Sequence, residues 1–100
     1  MLQDQIRKKI ALIVEDEPLI SGVCQRILKA EGFEVDIAMN GLIAMKMVAE
    51  KSYDLCLSDI RTPGMNGIEL YRYLEKAHPD LANKVIFTTG DILSSNIPDF

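Results

Sequence analysis

The chain has 100 residues, of which 48% are hydrophobic and 26% are charged, and its formal net charge is −4. This length suits one domain, and the composition is ordinary for a soluble globular protein. The acidic balance, with a pI of about 4.9, argues against general nucleic-acid binding and against an anionic membrane surface. No apolar stretch approaches the roughly 20 residues that span a bilayer, and the first nine residues have no signal-peptide core, so we expect a cytoplasmic protein.

The first third of the chain alternates short apolar runs with an amphipathic stretch, which predicts βαβ units and a parallel sheet. Residues 10–14 form the first predicted strand. Pro18 begins a predicted helix with one buried face, and Gly32 is predicted to end it. Residues 33–38 alternate with period two and predict a half-buried strand. The apolar positions of this helix recur every three or four residues: Leu19, Ile20, Val23, Ile27 and Leu28.

The later elements follow the same alternation after a turn signal at Asn40 and Gly41. Helices are predicted over about residues 42–51 and 67–77, and strands over residues 54–58 and 85–88. The strand at 54–58 is nearly all apolar, as a central strand covered on both faces would be. The predicted packing residues of the two helices are Ile43, Met47, Val48, Ile68, Leu70, Tyr71 and Leu74, and Met39 and Met45 are expected to fill the core.

Two cysteines and one histidine have no partner at the spacing of a known motif. Cys24 and Cys56 lie inside apolar runs, without a CxxC or a His-spaced partner, so we expect small buried hydrophobic residues. His78 precedes a proline at a helix end and is expected to be exposed and not catalytic.

Acidic residues end two of the predicted strands. Glu15 and Asp16 follow the first strand, and Asp59 follows the third. If these strands are parallel neighbours, all three carboxylates emerge at the same sheet edge, where ligands bind in open parallel sheets. Two carboxylates about 4 Å apart repel by roughly 4 kcal/mol at an effective dielectric near 20, so a hard divalent cation is the natural neutralising partner. The alternatives are that the first pair caps the next helix and that Asp59 forms an Asx-turn.

Three segments resemble the response-regulator receiver domain of two-component signalling: residues 12–17 (LIVEDE), 59–67 (DIRTPGMNG) and 85–90 (VIFTTG). The resemblance covers about residues 9–92, and the middle segment is the most specific because its acid, proline and glycine fall at the family's spacing. It implies an α/β fold with a flavodoxin-like, doubly wound parallel sheet of strand order 2-1-3-4. One domain would occupy residues 9–100, after a lead-in at residues 1–8.

The resemblance also implies a role for each residue of the acidic edge. Asp59 would be the phosphoacceptor, attacking the phosphorus of a phosphohistidine in line. Asp16 would bind Mg²⁺ directly and Glu15 through water, with the backbone carbonyl of Arg61 as a further ligand. Thr89, which could otherwise be a plain strand-end residue, would hydrogen-bond a phosphoryl oxygen. The implied partner is a sensor histidine kinase or a histidine phosphotransfer protein.

The chain departs from the receiver pattern after Thr89. Receivers add a fifth strand that carries a lysine, and then a fifth helix, whereas the last lysine here is Lys84. The chain is either a truncated piece of a longer receiver or a naturally degenerate one. Without that strand, residues 85–88 would form an unpaired apolar edge, which invites pairing with another chain. We therefore expect a homodimer or an exchange of elements through this edge.

Two other functions compete with the phosphoacceptor. A pseudo-receiver would keep the fold and act as a phosphorylation-independent interaction module, which the missing lysine favours and the three acids oppose. An aspartate-nucleophile hydrolase would need a second acid two residues after Asp59, where Arg61 stands. We therefore expect a switch that catalyses only its own phosphorylation and dephosphorylation, in a hybrid kinase or a stand-alone regulator.

Overall fold

A computed structural model of the chain describes residues 8–62 and 64–88. Strands and helices alternate along this part of the chain, and the predicted elements all occur within two residues of their expected bounds. One element was not predicted, a short helix that begins at a proline after His78. In chain order the elements are β1 (Ile10–Val14), α1 (Pro18–Ala30), β2 (Glu34–Ala38), α2 (Gly41–Glu50), β3 (Leu55–Asp59), α3 (Gly67–Ala77), α4 (Pro79–Ala82) and β4 (Val85–Thr88).

The described strands form one parallel sheet in the order β2-β1-β3-β4, which confirms the predicted topology. β1 lies in the middle and pairs with β2 on one side and β3 on the other. The register sets Val14 opposite Ser58, so the residues that follow β1 lie beside the end of β3. β4 pairs with β3 and places Thr88 opposite Asp59. The carboxyl ends of β1, β3 and β4 therefore meet at one edge.

The main core lies between the sheet and helices α2 and α3. Leu12 and Val14 of β1 and Cys56 of β3 are fully buried there, and the helices contribute Ala44, Val48, Leu70 and Leu74. Side chains of a strand alternate between the two faces of a sheet. Ala11 and Ile13, which are also buried, therefore face the opposite side, where α1 contacts β1 and β2.

The predicted buried face of α1 was wrong for three of its five residues. Leu19, Val23 and Ile27 are 83%, 53% and 59% exposed, whereas Ile20 and Leu28 are half-buried. The sheet contacts the strip of α1 that contains Ser21, the buried residue of this helix. Helical spacing shows which side chains share a side of a helix, but the apolar stripe here lies beside the strip that meets the sheet.

Three other packing predictions also failed because the apolar side chains lie at the rim of the core. Ile43 and Ile68 are each 40% exposed and Met39 is 50% exposed. In α2 the buried positions are Gly41, Ala44 and Val48, since small residues let the helix approach the sheet closely. Other predicted packing residues do contact the core, some fully buried and some partly: Leu70, Leu74, Tyr71, Met45 and Met47.

Neither the two cysteines nor the histidine belongs to the cluster of metal-ligand side chains that the described residues form. Both cysteines are free, and burial raises the pKa of the Cys56 thiol to about 12. Burial and the nearby charge of Glu15 also raise the pKa of Cys24, which is half-buried. His78 is half-buried, not exposed as predicted, and its Nε2 lies 3.4 Å from the hydroxyl of Tyr73. In the part of the chain described, no helix has the length and apolar character to cross a bilayer.

Candidate metal and phosphoacceptor site

Glu15 lies directly after β1 and is 4% exposed. Its backbone N–H donates to the carbonyl of Ala38 at 2.9 Å, which extends the β1–β2 ladder by one residue. Its Oε2 accepts a hydrogen bond from the backbone N–H of Glu17 at 3.1 Å. The backbone therefore holds this carboxylate at the sheet edge, and Asp16 follows it in a half-buried position.

Asp59 is the last residue of β3 and is 7% exposed. Its Oδ1 accepts a hydrogen bond from the backbone N–H of Arg61 at 3.1 Å. The next residue, Ile60, donates its N–H to the carbonyl of Thr88 at 3.1 Å, so β4 supports the chain just beyond the acid. The carboxylate is thus fixed by the strand before it and by the backbone after it.

The structure brings the three predicted carboxylates together. Glu15, Asp16 and Asp59 each offer one oxygen, and these oxygens all lie within 4.8 Å of one another. The strand register explains the cluster, because parallel β1 and β3 end side by side. Of the capping alternative for the first pair, the structure shows one contact: the Glu15 carboxylate accepts the N–H of Glu17, the N-cap of α1. The Glu17 side chain makes no cap hydrogen bond.

The cluster is electrostatically unfavourable when its groups are all charged. Burial raises the pKa of the Glu15 carboxyl from 4.5 to about 6, against the lowering effect of the Glu17 N–H, and the charges of Asp59 and Asp16 raise it further. An oxygen-rich site that repels its own negative charge suits a hard divalent cation, which takes carboxylate, carbonyl and water ligands. The residues present therefore fit Mg²⁺.

The raised pKa predicts how metal-free stability changes with pH. A carboxyl whose pKa is higher in the folded state stabilises the fold fully below 4.5, and this contribution is lost as the pH rises through about 6. At 1.36 kcal/mol per pKa unit the loss is about 2 kcal/mol. The free energy of unfolding can be measured with urea in the presence of a chelator. We expect the difference in this free energy between the wild type and Glu15→Gln to change between pH 4.5 and about pH 6. If the free energy of unfolding has the same pH dependence in both proteins, the raised pKa of Glu15 is contradicted.

The remaining predicted residues are placed as follows. Arg61 is exposed, and its backbone N–H contacts Asp59. Thr89 lies outside the described residues. Sequence reasoning missed Thr62, which is 4% exposed and donates its hydroxyl to the carbonyl of Met65 at 3.0 Å. The sequence shows only that Thr62 is a hydroxyl residue in a loop between an acid and a glycine. This pattern is too common to identify a functional residue.

The comparisons with known proteins agree on one family. The family model for the response regulator receiver domain matches residues 11–97. The transcriptional regulatory protein YkoG of Bacillus subtilis (strain 168) is 41% identical over 88 residues, which cover 88% of this chain and 36% of that protein. The chain thus spans little more than a third of this relative.

Two solved structures that are similar to this chain are complexes of one response regulator. The response regulator TrrA of Thermotoga maritima, in complex with Mg²⁺-BeF, has a TM-score of 0.76 and 36% identity over 88% of this chain and 76% of its own. A complex of the histidine kinase ThkA with TrrA gives a TM-score of 0.74 and 38% identity, covering 82% of this chain and 69% of the matched chain.

Proposed function

Because the chain belongs to the response regulator receiver domain family, we propose that it is a phosphoacceptor switch in which Asp59 receives a phosphoryl group. The observation that carries this proposal is the cluster of three carboxylate oxygens within 4.8 Å of one another. Asp59 belongs to this cluster and ends β3, one of the two central strands. Its side chain is buried and accepts a backbone hydrogen bond. Receiver domains are in general signalling modules and not enzymes that act on an external substrate.

The acidic cluster would hold Mg²⁺. We assign the side chains of Asp16 and Asp59 and the backbone carbonyl of Arg61 as ligands, and the side chain of Glu15 as a ligand through water. A bound Mg²⁺ would neutralise charge on the transferring phosphoryl group, the main electrostatic task of such a reaction. The Mg²⁺-BeF complex of TrrA supports this choice of metal. A cation would also offset the repulsion from Asp59 and Asp16 that contributes to the raised pKa of the buried Glu15.

Asp59 itself would perform the transfer. A carboxylate acts as a nucleophile without a general base. One of its oxygens attacks the phosphorus of a phosphohistidine, and the new O–P bond forms as the N–P bond breaks, with the electron pair returning to the imidazole nitrogen. The Arg61 N–H, 3.1 Å from Oδ1, orients the carboxylate so that its other oxygen can attack. We assign Thr89 to a phosphoryl oxygen.

The partner of this reaction would be a sensor histidine kinase or a histidine phosphotransfer protein. The complex of ThkA with TrrA supports a kinase partner. The direct test treats the chain with acetyl phosphate, or with beryllofluoride, in the presence of Mg²⁺. With acetyl phosphate we expect a mass increase of one phosphoryl group, and with beryllofluoride we expect changes in the backbone NMR spectrum around Asp59 and no covalent product. An unchanged mass and spectrum would contradict the proposal and favour a phosphorylation-independent interaction module.

We also propose that two copies of the chain associate through β4. Within the described residues β4 pairs on one side only, with β3, and Ile86 in this strand is 52% exposed. An apolar strand edge invites pairing, and a lysine in such a strand discourages it. Size-exclusion chromatography with light scattering should show a dimer that Ile86→Lys dissociates. A stable monomer at high concentration would contradict this association.

A further inference from the structure

The loop after Asp59 is closed by a buried hydroxyl. Thr62 is 4% exposed, and its Oγ1 donates to the backbone carbonyl of Met65 at 3.0 Å. Burying a hydroxyl is unfavourable unless it is hydrogen-bonded, so this contact holds Thr62 and Met65 at a fixed separation. Arg61, whose carbonyl we assign to Mg²⁺, directly precedes Thr62 in the sequence.

Gly41, the first residue of α2, lies outside the loop and limits the movement of the Met65 carbonyl. A Cβ added to Gly41 would overlap the carbonyl oxygen of Met65 and would lie 2.9 Å from its Cβ and Cγ. Real Cβ atoms essentially never approach so closely. The start of α2 therefore lies against Met65 without room for a methyl group, and the Met65 carbonyl is confined between Gly41 and Thr62.

The other end of the loop is anchored to Asp59 itself. The N–H of Gly67 donates to the carbonyl of Ile60 at 3.1 Å, and a Cβ on Gly67 would lie 2.8 Å from the carbonyl oxygen of Asp59. The N–H of Arg61 donates to the Asp59 carboxylate. Arg61 and Thr62 are thus held by one hydrogen bond each, Arg61 by its bond to the Asp59 carboxylate and Thr62 by its bond to the Met65 carbonyl.

We infer that Thr62 is a positioning residue for the metal site. Its hydroxyl, by holding the Met65 carbonyl against the start of α2, sets the course of the Arg61 backbone beside Asp59 and thereby the affinity for Mg²⁺. This inference rests on the proposed function. Groups that orient metal ligands typically change metal affinity by about 10–100-fold when they are removed.

The test measures the affinity for Mg²⁺ alone, by isothermal titration calorimetry on the folded chain. Thr62→Val keeps the shape of the side chain and removes the hydroxyl, and we expect its affinity to fall by about 10-fold or more. Thr62→Ser keeps the hydroxyl and should restore most of the affinity. Ser21→Ala is the matched control, since Ser21 is also buried and donates to a backbone carbonyl, that of Pro18 at 3.2 Å; its affinity should not change.

A second variant keeps the inference testable if Thr62→Val does not fold. Gly41→Ala leaves the hydroxyl intact and displaces Met65 from the α2 side, so it should also weaken Mg²⁺ binding. If Thr62→Val and Gly41→Ala, or whichever of the two folds, bind Mg²⁺ with wild-type affinity, the positioning role is overturned and the proposed function still stands. A wild-type chain that does not bind Mg²⁺ would overturn both.

Discussion

Asp59→Asn is expected to abolish phosphorylation of the chain by acetyl phosphate. The amide that replaces the carboxylate is not a nucleophile, so the rate should fall by on the order of 10⁴-fold or more, the scale seen when a nucleophile is removed. Intact-mass spectrometry in the presence of Mg²⁺ measures the result. The substitution also removes one charge from the acidic cluster, so the pKa of Glu15, which the Asp59 charge helps to raise, should fall.

The matched control for this substitution is Asp80→Asn. Asp80 is an exposed residue of α4, at a distance in sequence from the three clustered acids. The control should be phosphorylated at the wild-type rate. Phosphorylation of Asp59→Asn at a comparable rate would show that another residue is the acceptor and would contradict the assignment.

Leu12→Ala is expected to lower the free energy of unfolding by about 2–5 kcal/mol, the range for truncating a buried leucine. Leu12 is fully buried in the middle of β1 and belongs to the core between the sheet and helices α2 and α3. Domains of this size are stable by only about 5–15 kcal/mol, so the loss would be a large fraction of the total. Urea unfolding followed by circular dichroism measures it.

Ile27→Ala provides the contrast. The apolar spacing of α1 predicts that Ile27 is as buried as a core residue, but it is 59% exposed. Its truncation should therefore change stability by no more than about 0.5 kcal/mol, as exposed substitutions usually do. A cost close to that of Leu12→Ala would show that Ile27 is buried in solution and would contradict the described orientation of α1.

Much of the fold could be predicted because apolar runs and turn residues mark the elements directly. The run at residues 10–14 and the period of residues 67–77 correspond to β1 and α3. Packing was less predictable, because helical spacing shows which residues share a side but not which side the sheet covers. Leu19 is the clearest case, an apolar residue in phase with its neighbours that is 83% exposed.

The acidic part of the site could be predicted because it depends only on strand order and on where each strand ends. Once β1 and β3 are neighbours, Glu15 and Asp59 must lie side by side. Thr62 could not be predicted in the same way. Its role depends on the course of an irregular loop and on contact with α2, which no periodicity in the sequence encodes.

The most direct test of the metal site uses Mn²⁺, an octahedral oxygen-binding cation similar to Mg²⁺ in its ligand preference, as a paramagnetic probe. Broadening of backbone amide signals in the NMR spectrum measures which residues lie near the ion. We predict that substoichiometric Mn²⁺ broadens the signals of Glu15, Asp16 and Asp59 first, and that excess Mg²⁺ restores them. Broadening centred on other acidic residues, with these three unaffected, would contradict the site.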